Sequence, residues 1–448
     1  MKTWSNRLLK LAWLAVFTAA LVACGGTSGD KKASNNKPVN LAGVWKTEGY
    51  GLVLQGVGGK MTLHQTNSIS GMKIQEGSYV GDTVTLPSLN LTLKATRLDG
   101  DGLLLKDADE NHRYVLRPLA ALPLVLQNGG TKESSDPILN FDVFWQTFED
   151  NYGFFKVRGL DWKAVRDRYR PQVNANTTPD ELFEIMSNAL SGLSGDSHTV
   201  LYGSNQVRSK LDYDENTVYA MRDKVLNDPT FIKTGGDGLL AYKHLNADTT
   251  LISVFSEMGA GGPNGGDING EIKQLEAILA ACAGKKSIIL DLRANTGGYD
   301  TVSLRIAGHF AAARRLAFSK QVRDGDGFAP LFQRYVEPEG KVFLGKVYVL
   351  TSHFTVSAGE SLTMALRALP NVTVIGENTN GSLSDQLSYQ LPNSWFVTLS
   401  NERYVAADGG AYEKTGVPPA IYIPFDAKAY LAGNDAILGK ALELTGVR

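Results

Sequence analysis

Residues Val347–Leu369 read VYVLTSHFTVSAGESLTMALRAL. The run Val347–Leu350 is apolar and strand-like, whereas Leu362, Ala365, Leu366 and Leu369 recur at helical spacing. A small polar turn, Thr355-Val356-Ser357-Ala358-Gly359, joins the two. Serine is a preferred helix N-cap, and Glu360 three residues later completes a capping-box pattern. The turn therefore has a structural reading on its own. Ser357 is also placed where a hydroxyl can attack, and the rest of the chain bears on which reading holds.

Strand and helix patterns alternate on both sides of this stretch. Strand patterns occur at GLLAYKHL, TTLISVF, KSIILDLRA, GKVYVLTS, VTVIGEN and SWFVTLS, and helix patterns at Ile272–Ala283, Thr301–Ala312 and Ser357–Leu369. Mixed elements of these lengths indicate an α/β core, expected over residues 206–433 with a C-terminal tail or helix over 434–448. Upstream, residues 137–205 read as a helical subdomain. Phe141, Phe144, Trp145, Phe148 and Tyr152 share one face, a second helix surrounds Trp162, Val165 and Tyr169, and a third carries Leu182, Met186, Leu190 and Leu193 behind an N-cap at Thr177 or Thr178. Gln127–Asp136 reads as a linker. Residues 41–126 are short alternating runs broken by glycine and asparagine, which predicts a small all-β domain.

The N-terminus has a different character. Lys2, Arg7 and Lys10 precede the apolar run Leu11–Val22, which is short for a membrane span. It ends in Leu21-Val22-Ala23-Cys24, which resembles a bacterial lipobox. That resemblance implies a signal peptide over 1–24, a lipid on Cys24, and an envelope location, with Gly25 after the cysteine matching outer-membrane lipoproteins. Residues 25–40 are polar and aperiodic and read as a flexible tether. Loss of Lys2, Arg7 and Lys10 takes the formal net charge from −1 to −4, so no nucleic-acid partner is expected. Cys282 lies on an apolar helix stripe with Leu275, Ile278 and Leu279 and reads as a buried thiol. His64 and His112 stand singly without metal-ligand spacing, and no metal or cofactor is called for.

Three stretches bear on Ser357. SGLSGDSHTVLYG puts His198, with Ser197 before it, in a tight turn after a helix. IILDLRANTGGYD runs a buried strand into Gly297-Gly298, where backbone N–H groups can approach a ligand closely. DGGAYEKTGVPPAIYIP places Glu413 in a glycine-bounded loop. Each alone has an ordinary structural reading.

The ordered set GDSHT, DLRANTGG, TSHFTVSAGE, GENTNGSLSD and EKTGVPPAI resembles the serine peptidase family of C-terminal processing peptidases, the tricorn core protease and the interphotoreceptor retinoid-binding protein modules. The likeness covers roughly residues 137–425, and it implies a crotonase-like spiral for the core. In the processing-peptidase branch a lysine follows the nucleophile, and here Ser382 holds that place. A hydroxyl of ordinary basicity cannot take the proton from Ser357, so a Ser–Lys dyad is not expected. The tricorn-like branch implies Ser357 as nucleophile, His198 as base, and Ser197 and Glu413 as its relay. Ala358 at the helix start and Gly297 or Gly298 would supply oxyanion N–H donors. His353, four residues before Ser357, is the competing base. The expected function is a lipid-anchored serine endopeptidase acting on peptides or unfolded protein. A non-catalytic binder of hydrophobic or peptide ligands and an esterase are the alternatives.

Overall fold

The computed structural model describes residues 38–108, 113–235, 239–261 and 266–446. The expected signal peptide, Cys24, most of the tether and His112 lie outside the described residues. Among the described residues no helix is long and apolar enough to cross a membrane. The chain forms two compact units, each discontinuous in sequence. One combines residues up to Leu211 with Gln321–Leu331 and Ser384–Arg403; the other combines Asp212–Lys320, Phe332–Leu383 and Tyr404–Arg448.

In the first unit, eight antiparallel strands close into a barrel: Gly43–Thr47, Leu52–Val57, Lys60–Thr66, Gly71–Val80, Thr83–Leu86, Leu91–Arg97, Leu103–Lys106 and Arg113–Leu119. The first strand pairs with the last, Val44 opposite Leu119 and Lys46 opposite Arg117. The period-two pattern that marked these segments as strands also fills the barrel. Trp45, Leu54, Leu63, Val84, Leu93, Leu105 and Leu116 pack into one core. The hairpin after Val57 turns on Gly58 and Gly59, both at positive φ (57° and 83°), as a two-residue primed turn requires.

The helical part of this unit follows its predicted stripes. Helix Pro137–Asn151 starts at Asp136, whose carboxylate accepts the Ile138 N–H at 3.0 Å. Helix Pro179–Ala189 starts at Thr178, where Glu181 returns a carboxylate to the Thr178 N–H at 2.8 Å. Phe141, Phe144, Phe148, Leu182 and Met186 are buried together with Leu201, Val397 and Leu399 of the sheet Val207–Ser209, Val200–Tyr202, Phe396–Ser400, Gln386–Gln390. Trp145 and Trp162 stack with ring planes 3° apart and centroids 6.5 Å apart. Each indole N–H donates to the other residue's carbonyl, at 2.9 and 3.0 Å.

The second unit is a seven-stranded sheet in the order Ile232–Thr234, Leu240–His244, Thr249–Val254, Ser287–Asp291, Lys346–Thr351, Val372–Gly376, Ile421–Tyr422. From Thr249–Val254 onward all pairings are parallel. Parallel strands are covered on both faces, which explains their nearly unbroken apolar runs. On one face Ile288, Leu290, Val347 and Val349 meet the helices Ile268–Ala281, Asp300–Gly308 and Ala358–Arg367; Cys282, at the end of the first of these, is buried with them. On the other face Leu251, Ile289, Tyr348, Leu350 and Ile375 meet Val218 and Met221 of helix Glu215–Leu226, and Ile437 and Ala441 of helix Ala436–Thr445. Sequence periodicity did not mark Glu215–Leu226. The C-terminal helix is part of the core, and its N-cap Asp435 takes two hydrogen bonds, at 2.6 and 2.9 Å, from the buried Arg293. Because the central strands are parallel, the loops at Phe255–Glu257, Leu292–Tyr299, Ser352–Ser357 and Glu377–Leu383 all leave the same edge of the sheet, where ligands of open α/β sheets bind.

Trp162→Ala should lower the stability of the first unit by about 3–5 kcal/mol in denaturant titration, because it removes a buried indole together with the hydrogen bond that indole donates to the Trp145 carbonyl. A loss below about 1 kcal/mol would show that the tryptophan pair is not integral to that core.

Candidate active site

The turn after strand Lys346–Thr351 is stitched to the loop after Ser287–Asp291. Ser352 Oγ donates to Arg293 O and Thr355 Oγ1 to Leu292 O, both at 2.8 Å, and the Val356 N–H reaches Asn295 O at 3.0 Å. The chain then passes through Ser357 with φ 58° and ψ −120°. That region suits glycine. For a residue with a side chain it costs about 1–3 kcal/mol, and it persists only where surroundings impose it. Ser357 is half-buried between the buried Val356 and Ala358. A strained strand-to-helix turn of this kind presents a hydroxyl outward from the end of a sheet.

Glu360 supplies much of the imposition. The expected capping interaction is present from its side, since its carboxylate accepts the Ser357 N–H at 3.1 Å. It does more than cap. The same carboxylate accepts from Thr379 Oγ1 at 2.6 Å, from the Gly381 N–H at 2.7 Å and from the Ser382 N–H at 2.9 Å. It is fully buried, and burial pushes its pKa up to about 7 against the pull of these four donors. Thr379 Oγ1 in turn accepts the Val417 N–H at 2.7 Å.

Glu413 lies on a separate turn, Glu413–Thr415, hydrogen-bonded to the segment Gly381–Leu383. It is buried and accepts the Leu383 N–H at 3.1 Å, while the Lys414 N–H donates to Gly381 O at 2.7 Å. Ser382, in the position where the processing branch has lysine, is buried and donates its hydroxyl to Asn380 Oδ1 at 2.7 Å.

The glycine pair divides its duties. A Cβ on Gly297 (φ 89°) would lie 2.7 Å from Ser357 Cβ and 2.9 Å from Ala358 N, so only glycine lets this loop touch the serine turn. The Gly297 N–H is turned inward onto Asn295 Oδ1 at 2.8 Å. This corrects the expectation that Gly297 could be a donor: its amide is already engaged. Gly298 differs. Glu257 N–H bonds Gly297 O and Tyr299 N–H bonds Glu257 O, so the Gly298 N–H faces the opposite way. It has no acceptor among the described residues, and neither does the N–H of Ala358. Two amides without an acceptor among the described residues thus lie on touching loops at the Ser357 turn.

Ser197 and His198 belong to the other unit. Their loop is built on Asp196, which is fully buried and accepts from Tyr152 Oη at 2.6 Å, Ser400 Oγ at 2.8 Å and the His198 N–H at 3.1 Å. The His198 carbonyl accepts from Thr398 Oγ1 at 2.7 Å. Burial lowers the His198 pKa, and the negative charges of Asp196 and Asp385 oppose that fall. The imidazole is thereby biased toward the neutral form, which can accept a proton. Ser197 is half-buried. His353 lies stacked on Phe354, with centroids 4.3 Å apart, and edge-on to Tyr213 at 6.2 Å. Those contacts make it part of an aromatic cluster around the buried Phe354.

Sequence reasoning missed Glu360 as more than a cap, Asn295 as the residue that turns Gly297 inward, and Asp196 and Asp385 as the charges acting on His198. All four lie in the quoted motifs, but the spacing of a motif does not show which way a carboxylate points.

Residues 252–423 match the model of peptidase family S41, and residues 139–191 match that of the tricorn protease C1 domain. The carboxy-terminal processing protease CtpA of Bacillus subtilis (strain 168) is 25% identical over 268 residues, 59% of this chain and 54% of that protein. The chain thus spans about half the length of this curated relative. The crystal structure of a candidate peptidase from Parabacteroides merdae ATCC 43184 shares 27% identity with a TM-score of 0.60, covering 70% of this chain and 97% of the other. Mature CPAF complexed with lactacystin has a TM-score of 0.52 over 70% of this chain and 97% of its own, at 10% identity, a likeness of fold alone.

If the backbone at Ser357 is strained as described, Ser357→Gly should be more stable than Ser357→Ala by about 1 kcal/mol in matched denaturant titrations, since glycine relieves the positive φ. Equal or lower stability of the glycine variant would remove the strain from the account.

Proposed function

We propose that this protein, whose residues 252–423 match the model of peptidase family S41, is a serine peptidase cleaving peptides or unfolded protein segments through an acyl-enzyme on Ser357. The observation that carries the reading is the Ser357 turn itself: a half-buried serine held at positive φ, with the Ala358 N–H, which has no acceptor among the described residues, next to it and the Gly297-Gly298 loop in contact.

In this mechanism Ser357 Oγ attacks the scissile carbonyl carbon while a neutral imidazole, assigned to His198, takes the hydroxyl proton. The carbonyl oxygen becomes an oxyanion and receives the N–H groups of Ala358 and Gly298, each worth about 3 kcal/mol of barrier. Collapse expels the amine, which leaves with the proton from the imidazolium. Water, deprotonated by the same imidazole, then releases the acid and restores Ser357. Ser197 and Glu413 are assigned to support His198 on the family pattern. Ser382, a hydroxyl that donates to Asn380, offers no alternative base. The lipid on Cys24, the envelope location and membrane attachment through that lipid rest on the lipobox-like Leu21-Val22-Ala23-Cys24.

A fluorophosphonate probe tests the nucleophile. Wild type should be labelled and Ser357→Ala should not. Ser357→Ala and His198→Ala should each lose about 10⁴-fold or more in kcat on an unfolded protein substrate, and Glu413→Gln less, within about 100-fold. A folded wild type that resists the probe would favour the binding-protein reading, cleavage of an ester but no peptide would favour an esterase, and an active His198→Ala with an inactive His353→Ala would reassign the base.

Glu360 gives the pH dependence. Its four-donor clamp is complete only when the carboxyl is ionised, so kcat/KM should rise with pH through about 7. Burial lowers the His198 pKa, which places its own limb on the acid side of its ordinary value, below that of Glu360. Stability should move the other way. The folded pKa is raised above the unfolded value of 4.5, so this contribution is complete below about 4.5 and is lost as pH climbs through about 7. Flat profiles of both quantities from pH 5 to 8 would show that Glu360 does not titrate in this window.

A further inference from the structure

Two residues that the chemistry above does not use hold the loop Ala294–Gly298 from opposite sides. From helix Glu215–Leu226, Arg222 donates Nε to Ala294 O at 3.1 Å and Nη2 to both Phe255 O and Thr296 Oγ1 at 2.6 Å. Its guanidinium carbon lies 5.8 Å from the centroid of the Phe255 ring. On the inner side Glu257 is fully buried and accepts from Asn295 Nδ2 at 2.7 Å. The other polar contacts of that amide reach the strand end and the glycine pair: Nδ2 donates to Val254 O at 3.1 Å and Oδ1 accepts the Gly297 N–H at 2.8 Å. The Glu257 backbone bridges Gly298, and Ser256 Oγ donates to Gly297 O at 2.7 Å.

Every residue from Ala294 to Gly298 is therefore gripped by a named partner. A turn that only connected a strand to a helix would not need this. A buried carboxyl is expensive to maintain, and Glu257 Oε2 has no partner among the described residues, so the fold carries an unmet cost there. The grip fixes one thing in particular. By pinning Asn295 to Glu257, it turns the Gly297 amide inward and so leaves the amide of Gly298 facing outward. A Cβ at Gly298 would lie 2.2 Å from the Glu257 carbonyl carbon, so Glu257 and the glycine are fitted to one another.

We propose that Arg222 and Glu257 are positioning residues that aim the Gly298 N–H at the acyl oxygen of the substrate. This rests on the serine peptidase reading and adds two residues to it, neither of which touches substrate. Arg222 fixes the outer rim of the loop through three acceptors that lysine cannot span together. Glu257 fixes the inner rim through Asn295.

Steady-state kinetics of the full chain on a fluorescently labelled unfolded protein, together with fluorophosphonate labelling rates, test this. Glu257→Leu and Arg222→Gln should each lower kcat about 100-fold with KM within about threefold, because they disturb a donor used in the transition state. Labelling rates should fall in parallel, since the phosphonyl oxygen uses the same donors. Glu257→Gln, which keeps an acceptor for Asn295, should recover most of the rate, and Arg222→Lys should not. If Glu257→Leu fails to fold, the Arg222 pair decides the matter. A wild type that is labelled, with Arg222→Gln and Glu257→Leu at wild-type kcat or altered in KM alone, overturns the inference and leaves the peptidase reading standing. A wild type that is neither labelled nor active removes both.

Discussion

The structure of the candidate site depends on keeping one serine in a backbone region that disfavours side chains. Ser357 sits at φ 58° because the chain on either side cannot relax. Behind it, Ser352, Thr355 and Val356 are tied to the loop of the neighbouring strand. Ahead of it, Glu360 holds its N–H together with three donors from Thr379–Ser382. The desolvation of that carboxylate and the strain of that serine offset the favourable packing of helix Ala358–Arg367. Surroundings of this kind over-determine a high-energy conformation, as strained functional residues require.

Parallel strands make the arrangement possible. Three consecutive strands end on the same edge, and each continues into one part of the site: Asn295–Gly298, Ser352–Ala358 and Thr379–Leu383. The helices that return the chain to the other edge are buried on the sheet, so the loops are held at both ends by rigid elements. Short-range hydrogen bonds then set the last details, such as which glycine amide faces inward.

Much of this was legible in the residues. The period-two runs of the barrel, the aromatic stripe of Pro137–Asn151 and the apolar parallel strands all announce themselves, because burial on a regular element leaves a regular pattern. The Ser357 turn, the Gly297-Gly298 pair and the His198 loop were legible as motifs. What was not legible is tertiary. Glu360 has the spacing of a local cap, and nothing local shows that Thr379, Gly381 and Ser382 also donate to it. The exchange of roles between Gly297 and Gly298 depends on one amide, Asn295, whose orientation is set by Glu257. Helix Glu215–Leu226 is mostly polar and buries only Val218, Met221 and Val225, too few to mark a stripe. Ser384–Arg403 lies in the same unit as His198 although it is nearly two hundred residues away in sequence, a grouping that no periodicity records.

The barrel over Gly43–Leu119 has a consequence of its own. Its first and last strands pair, so at that seam the ring offers no strand edge with open main-chain groups. An extended polypeptide cannot be recruited at the seam by adding itself as a further strand. What this module captures along that wall it must hold with side chains or with the turns at its rims, and its selectivity there would follow the chemistry of those side chains.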